Sequence, residues 1–287
     1  MNLREQAVLF PCEGEQLLGM LASPSLPRDC GVLVVVGGPQ YRAGSHRQFL
    51  LLSRHLAAAG YATWRFDYRG MGDSGGESRS FESVSADIAA ALDAFQAACP
   101  SVQRVVIWGL CDAASAALLY WQERQDPRIC GLSLLNPWVR SEATQARTQI
   151  KHYYRQRLLQ ADFWKKLLRG GVNWGSAAAS LWFAIRRLHR PAQPASQVAG
   201  RPFPERMAQG WAQFPGPLLL ILSGRDYTAK EFLECTASEP AWSGLLLQDK
   251  VSCHTLAEAD HTFSTAAWRA EVESLTLNWL QTFLDKA

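Results

Sequence analysis

The residue with the clearest chemical potential in this sequence is Cys111, which lies where a predicted strand turns directly into a predicted helix. The apolar run 105–108 is rich in residues that favour strands, and the Ala- and Leu-rich stretch 113–119 favours a buried helix. Gly109 and Ala113, two residues before and after Cys111, are small enough to permit a strained corner. The helix N-terminus favours a thiolate there. The alternative is a buried structural cysteine, because unpaired cysteines are often buried.

A thiol nucleophile needs a general base, and the base needs a carboxylate that orients it. His261 and Asp226 each follow a predicted strand near the end of the chain, and Cys111 also follows one. Because the carboxyl ends of parallel strands meet at one edge of a sheet, we expect these side chains to converge there. Asp260 is the main alternative acid, but it adjoins His261 in sequence, and neighbouring side chains seldom face each other.

Acyl-transfer chemistry also needs backbone donors for a developing oxyanion. The Asp112 N–H, at the start of the predicted helix, is one candidate. The Gly38 N–H is the other, since it follows the predicted strand 31–36 and the next residue, Pro39, has no N–H. A plain turn is the alternative interpretation of this glycine pair.

Several polar residues after this loop are candidates for substrate binding. Gln40 can assist the oxyanion donors, and Arg42, His46 and Arg47 can hold an anionic substrate group. A solvated helix start explains the same charges equally well.

Strands and helices alternate along most of the chain, which predicts an α/β fold with a mostly parallel twisted sheet and helices on both faces. The predicted strands cover residues 6–10, 16–22, 31–36, 62–67, 105–108, 131–135, 217–222 and 251–256, and the main helices cover residues 46–59, 81–98, 113–119 and 265–283. The loop 67–74 is expected to be architectural, with Gly70 and Gly72 allowing a tight path that Asp67 and Arg69 fasten. Phosphate binding is the alternative for these glycines.

The alternation stops between residues 138 and 216, which predicts a helical cap inserted between core segments 1–137 and 217–287. This segment holds 13 Lys and Arg against three acids, a formal charge of +10, and the remainder of the chain carries −7. Five tryptophans accompany the charges. Such a cap can meet an anionic membrane surface or a lipid-linked substrate. Alternatively, its aromatic faces pack on the sheet and its charges are solvated.

Composition excludes several classes of protein. A formal charge of +3 over 287 residues gives no argument for nucleic-acid binding, and no apolar run approaches 18 residues. The N-terminus shows no pattern of a signal peptide. Seven widely spaced cysteines indicate reduced thiols in a cytoplasmic protein, without a disulfide framework or a zinc site. No metal or other cofactor is expected.

Four motifs in the sequence carry a family resemblance. They are Val-Gly-Gly-Pro-Gln-Tyr-Arg-Ala-Gly-Ser-His-Arg-Gln at 36–48, Phe-Asp-Tyr-Arg-Gly-Met-Gly-Asp-Ser at 66–74, Trp-Gly-Leu-Cys-Asp-Ala-Ala at 108–114 and Asp-His-Thr-Phe at 260–263. With these motifs the chain resembles the α/β-hydrolases over its whole length, and more narrowly the exosortase A system-associated hydrolase 1 family.

The resemblance implies a nucleophile elbow at Cys111 and the chain order nucleophile, acid, histidine. It also implies a role beside the exopolysaccharide and protein-sorting systems of Gram-negative bacteria. The sequence departs from the general hydrolase pattern in three places. Val36 stands where a His often precedes the glycine pair, Cys111 replaces Ser, and Ala113 replaces Gly.

Together these observations predict a capped hydrolase that cleaves an ester or thioester, small or lipid-linked, through an acyl-enzyme on Cys111. One alternative is an acyltransferase that uses the same intermediate, since a cap that excludes water favours transfer. Another is a non-catalytic binding protein in which Cys111 is vestigial. The retention of Asp226 and His261 in the proper order argues against that last alternative.

Overall fold

The backbone forms an eight-stranded sheet in the part of the chain that a computed structural model describes, residues 3–38, 40–140 and 201–284. The strands are β1 (Arg4–Cys12), β2 (Glu15–Ser23), β3 (Cys30–Val35), β4 (Thr63–Asp67), β5 (Arg104–Leu110), β6 (Ile129–Leu135), β7 (Leu218–Ser223) and β8 (Val251–Leu256). The α-helices described are α1 (Gln48–Ala58), α2 (Ser85–Ala98), α3 (Asp112–Arg124), α4 (Phe203–Gln213), α5 (Tyr227–Ser238) and α6 (Ala266–Leu284).

The strand order is β1-β2-β4-β3-β5-β6-β7-β8. β2 pairs antiparallel with β1 and β4, and every other neighbouring pair is parallel. The first two strands form the predicted hairpin, in which Glu13 and Gly14 turn the chain with positive φ. The carboxyl ends of β5, β7 and β8 therefore lie at the same edge of the sheet.

Two apolar layers cover the sheet, one on each face. In β3 the alternate residues Val32 and Val34 join one layer, and Leu33 and Val35 join the other. Helices α1 and α6 pack on the first face, and α2, α3 and α4 lie on the second. The predicted α/β class, with a mostly parallel sheet and helices on both faces, is confirmed.

Several boundaries differ from the sequence prediction for local reasons. The helix expected at 46–59 begins at Gln48, because His46 and Arg47 both have positive φ, at 53° and 61°. The helix expected at 81–98 begins at Ser85, after a short 3₁₀ turn. Helices α4 and α5 were not predicted.

Most of the predicted cap lies outside the described residues, and its limits of 138 and 216 remain a prediction. Helix α4 lies in the C-terminal part of the predicted cap segment. It packs against α3 and belongs with the sheet in one compact unit, and its Met207 and Trp211 are fully buried. In the described part of the chain, no helix is long and apolar enough to cross a bilayer.

Candidate active site

Cys111 occupies a strained corner between β5 and α3. Its φ of 64° and ψ of −125° are rarely adopted by a residue with a side chain, and such strain persists only where surrounding contacts fix it. The Cys111 N–H donates to the Leu135 carbonyl at 2.8 Å, and the Cys111 carbonyl accepts from the Ala114 N–H at 3.1 Å. A Cβ on Gly109 would lie 2.7 Å from the Ala113 carbonyl, so only glycine lets the helix begin so close to the strand.

His261 and Asp226 meet at the same edge of the sheet. His261 follows β8, and its Nδ1 lies 2.8 Å from Asp226 Oδ2. Asp226 caps the N-terminus of α5 and accepts hydrogen bonds from the Thr228 and Ala229 N–H groups at 3.1 and 3.2 Å. Its side chain is 7% exposed, whereas that of His261 is 34% exposed. These N-cap hydrogen bonds therefore fix the Asp226 carboxylate, and the carboxylate orients the His261 imidazole.

The protonation of these groups is coupled. The hydrogen bond with Asp226, followed by the influence of the nearby Cys111 side chain, raises the pKa of His261 to about 10, against burial. Burial alone would raise the pKa of Asp226, but the hydrogen bond and charge of His261 lower it overall. At neutral pH the geometry thus favours an imidazolium held between a carboxylate and the Cys111 sulfur.

The carboxylate of the alternative acid, Asp260, is bound by neighbouring residues of its own loop. It accepts hydrogen bonds from the Thr262 N–H at 3.2 Å, the Ser264 N–H at 3.0 Å and the Ser264 hydroxyl. The structure therefore brings Asp226, and not Asp260, against the His261 ring.

Asn136 ties the loops of this site together, and sequence reasoning missed it. It is fully buried with a φ of 44°, directly after β6. Its Oδ1 accepts from the Ser223 N–H at 2.8 Å, and its Nδ2 donates to the Ser223 hydroxyl at 2.9 Å and to the His261 carbonyl at 3.1 Å. The Ser223 hydroxyl in turn donates to the Asp260 carbonyl at 2.8 Å. The only feature of the sequence that marks Asn136 is its position before Pro137, at the end of a predicted strand.

The two predicted oxyanion donors lie close to one carboxyl group. The Gly38 N–H donates to Asp112 Oδ2 at 2.9 Å, so in this arrangement it is not free for a substrate oxygen. The N–H groups of Asp112 itself and of Ala113 also lie near this carboxyl and favour its charged form, but burial raises the pKa of Asp112 overall. Sequence reasoning identified the Asp112 N–H but not the position of its side chain.

The candidate substrate-binding residues are placed differently from expectation. Arg42 is engaged by two carboxylates, since its guanidinium pairs with buried Asp67 and lies 2.6 Å from Asp73. It is therefore part of the fastening of the 67–74 loop. Gln40 Oε1 accepts from the Ser45 N–H at 3.0 Å, which makes it part of its own turn. Arg47 is exposed at the start of α1.

The loop 67–74 is held by hydrogen bonds, as predicted from its residues. Asp67 accepts from the Arg42 N–H at 2.6 Å and from the Asp73 N–H at 3.2 Å. The side chain of buried Arg69 donates two hydrogen bonds to Asp87, at 2.9 and 2.7 Å, and its backbone N–H donates a third at 2.9 Å. In the described residues, no group of three or more His, Cys, Asp or Glu is arranged to hold a metal ion.

Comparison with known proteins agrees with this architecture. A family model described as "Alpha/beta hydrolase family" matches residues 32–274. No curated protein matches the sequence.

Several solved structures have a similar fold. The Pyrococcus furiosus esterase Pf2001 has a TM-score of 0.65 and 17% identity, with 98% of this chain and 91% of that chain covered. Est1E from Butyrivibrio proteoclasticus, solved with ferulic acid bound, has a TM-score of 0.62 and 15% identity, with 97% and 100% covered. GrgF from Penicillium sp. sh18 has a TM-score of 0.62 and 18% identity, with 99% and 98% covered. At such identities the likeness concerns the fold alone.

Proposed function

Because the chain belongs to the alpha/beta hydrolase family, we propose that it cleaves an ester or thioester through an acyl-enzyme on Cys111. The observation that carries the proposal is the alignment of three groups at one sheet edge. Cys111 stands at a strained corner beside His261, and His261 is held by Asp226 at 2.8 Å. A nucleophile, a base and an orienting acid in this relation are the requirements of covalent acyl transfer.

In the proposed mechanism the Cys111 thiolate attacks the acyl carbon, and the carbonyl oxygen becomes an oxyanion near the Asp112 N–H. Collapse of this intermediate breaks the bond to the leaving group, which takes the proton from the His261 imidazolium. Neutral His261 then removes a proton from water, which attacks the thioester and releases the acid. Asp226 keeps Nδ1 as the proton-bearing nitrogen throughout, so that Nε2 faces the reaction.

The choice of cysteine fits the raised pKa of His261. A serine hydroxyl requires a neutral imidazole as base, whereas a thiolate pairs with an imidazolium. An imidazolium near neutral pH is compatible with a thiol nucleophile at this corner, and the Cys111 side chain is itself one cause of the raised pKa of His261.

The biological setting is proposed on the motif resemblance alone. The segments 36–48 and 108–114 resemble the exosortase A system-associated hydrolase 1 family. We therefore propose that the protein acts in connection with exopolysaccharide and protein-sorting systems, on a substrate that is small or lipid-linked. A cytoplasmic location remains an expectation from the sequence.

Intact-mass analysis during turnover of p-nitrophenyl esters and acyl thioesters of graded chain length tests this function. The wild type should show an acyl adduct on Cys111 that decays with release of acid. Cys111→Ala should lose both adduct and turnover, and Cys253→Ala, which removes an exposed thiol away from the site, should behave as the wild type.

Added alcohols and amines separate hydrolysis from transfer. Preferential formation of a new ester or amide would identify an acyltransferase. The absence of any adduct across the series, with Cys111 no more reactive than Cys253, would favour a non-catalytic binding protein.

A further inference from the structure

The sheet ends in two edge strands, β1 and β8, and the residues of the two edges differ. β1 carries Arg4, Glu5 and Pro11, and charges and proline are the residues that hinder the addition of another strand to an edge. β8 has the sequence Val-Ser-Cys-His-Thr-Leu, which contains no Lys, Arg, Asp, Glu or Pro. The edge at β8 therefore lacks the residues that usually protect an edge strand from pairing.

The middle of β8 is accessible on both faces of the sheet. Among the described strands, β8 pairs with β7 alone. Cys253, His254 and Thr255 are all exposed, and consecutive side chains of a strand point to opposite faces. The described residues therefore cover neither face at these positions, and the strand is buried again only at Leu256.

The ladder between β7 and β8 identifies the backbone groups that point outward. The carbonyls of Lys250, directly before β8, and Leu256, at its end, accept hydrogen bonds from β7 and the residue after it, at 2.8 and 2.9 Å. Because the direction of these groups alternates along a strand, Cys253 and Thr255 present their N–H and C=O groups to the free edge. The outward N–H of Val251 is already bound within its own turn, at 2.9 Å.

We propose that this edge binds a second copy of the chain, whose β8 lies antiparallel across a two-fold axis at His254. In this register Cys253 and Thr255 of the second copy exchange hydrogen bonds through both N–H and C=O groups, and the symmetry repeats the exchange. An axis at Cys253 would instead set Thr255 against Val251, whose N–H is already used.

The composition of β8 favours a second copy as the partner. A charged edge strand would repel its own copy, because like charges directly opposite each other are destabilising. A strand without Lys, Arg, Asp or Glu meets its copy without this repulsion. The two His254 side chains then lie on the same face of one continuous sheet that runs through both copies.

The contact is small, and the dimer is therefore expected to be weak and reversible. A strand of six residues spans about 20 Å, and pairing over that length belongs with interfaces below about 1,200 Å². Such interfaces are typical of transient association. The inference is independent of the proposed function, because association is measured without turnover.

Sedimentation velocity of the full chain from about 1 to 300 µM tests the proposal. The sedimentation coefficient of the wild type should rise with concentration. Thr255→Pro removes an outward N–H without breaking the ladder to β7, and His254→Lys places two cations opposite each other, so each should raise the dimer dissociation constant at least about tenfold. Leu26→Lys adds the same charge at a residue that is 88% exposed between β2 and β3, and it should behave as the wild type.

Cross-linking tests the register. In a Cys253→Ser background, His254→Cys should form a disulfide-linked dimer with copper–phenanthroline as oxidant, because directly opposite residues of this type have Cα atoms about 4.5 Å apart. Ser252→Cys in the same background is the matched control. Its two copies would lie four residues apart along the strands, about 13 Å, and should not cross-link.

A wild type that stays monomeric over the whole range would overturn the proposal. So would a dimer that neither Thr255→Pro nor His254→Lys weakens, with circular dichroism showing that both variants are folded. Cross-linking of Ser252→Cys as fast as that of His254→Cys would show that the copies do not pair in this register, and would equally contradict the proposal.

Discussion

At the scale of single residues, the balance of charge around His261 decides the chemistry. Asp226 and Cys111 both favour the imidazolium, and they raise the pKa of His261 to about 10. A raised histidine pKa stabilises the fold fully below the unfolded value of 6.5, and this contribution is lost as pH rises through about 10. Asp226 contributes in the opposite sense, with stability present above its unfolded pKa and lost as pH falls through the lowered value.

We expect Cys111 to be the most reactive of the seven thiols at neutral pH. Burial raises the pKa of Cys12 and raises that of Cys235 to about 11, so neither forms a thiolate readily. Timed iodoacetamide labelling of the folded protein, followed by peptide mapping, measures the order. Equal labelling of Cys235 and Cys111 would contradict it.

We expect Asp226→Asn to lower turnover by about 10⁴-fold, because the histidine loses both its tautomer control and its stabilising charge. The wild-type rate should fall as pH rises through about 10, where His261 loses the proton that the leaving group needs. In the variant this limb should move to lower pH. The pH dependence of kcat/KM shows both effects, and Asp260→Asn, as control, should retain the alkaline limb near 10.

The residues that meet at this edge of the sheet could be predicted from the sequence, but the contacts of their neighbours could not. Cys111, Asp226 and His261 each follow an apolar run, and strand ends are visible in the order of residues. Arg42 pairs with Asp67, 25 residues away in sequence, only because the fold brings the two together. The Asp112 side chain can take its path only because Gly37 has no Cβ. Neither leaves a local pattern.

At the scale of elements, the ends of three strands are joined through one side chain. Asn136 follows β6, accepts from Ser223 at the end of β7 and donates to the His261 carbonyl after β8. Its two bonds to Ser223 are buried and its bond to the His261 carbonyl is partly buried, so they fix the loop that carries His261 more firmly than exposed turns would.

We expect Asn136→Ala to reduce the free energy of unfolding by about 1–3 kcal/mol, since it leaves the buried Ser223 N–H unsatisfied. It should also lower kcat more than it alters KM, because His261 is released from its position. Urea unfolding and steady-state kinetics measure the two effects. Ser133→Ala, at another buried position of β6, is the control and should leave kcat nearly unchanged.

Element prediction succeeded for strands and failed for two helices. Strand β3 is buried throughout, and its uninterrupted apolar run reveals it. Helix α4 begins with Phe203 and Pro204 after a proline-rich stretch that carries no obvious helical pattern, although proline is well tolerated in a first helical turn. Helix α5 starts directly after Asp226, which is both its N-cap and the candidate catalytic acid, so one residue type at this position is compatible with either role.

At the scale of the whole molecule, charge is unevenly distributed along the sequence. Residues 138–216 carry +10 and the remainder −7, while the total is only +3. Such separation is the reason for expecting that this segment binds anionic surfaces, although the net charge of the whole chain is small.

We expect the protein to sediment with phosphatidylglycerol vesicles at low salt and to be released near 0.1 M salt, where the Debye length falls to about 10 Å. Replacing Arg186, Arg187 and Arg190 by Gln should weaken binding, because each basic residue adds about 1 kcal/mol at such a surface. Replacement of Arg4, Arg54 and Arg104 by Gln is the matched control outside the segment. If the protein does not bind the vesicles at low salt, the membrane-surface role is wrong and the segment is expected only to cover the substrate pocket.

The sheet order has a consequence for how the protein is made. The corner at Cys111 is built from contiguous residues of β5 and α3, whereas His261 is added 150 residues later. At about 5–20 residues per second, ribosomal synthesis separates the two by roughly 8–30 s. During that interval the nascent chain carries Cys111 without His261, so the proposed nucleophile and its proposed base meet only once β8 has joined the edge of the sheet.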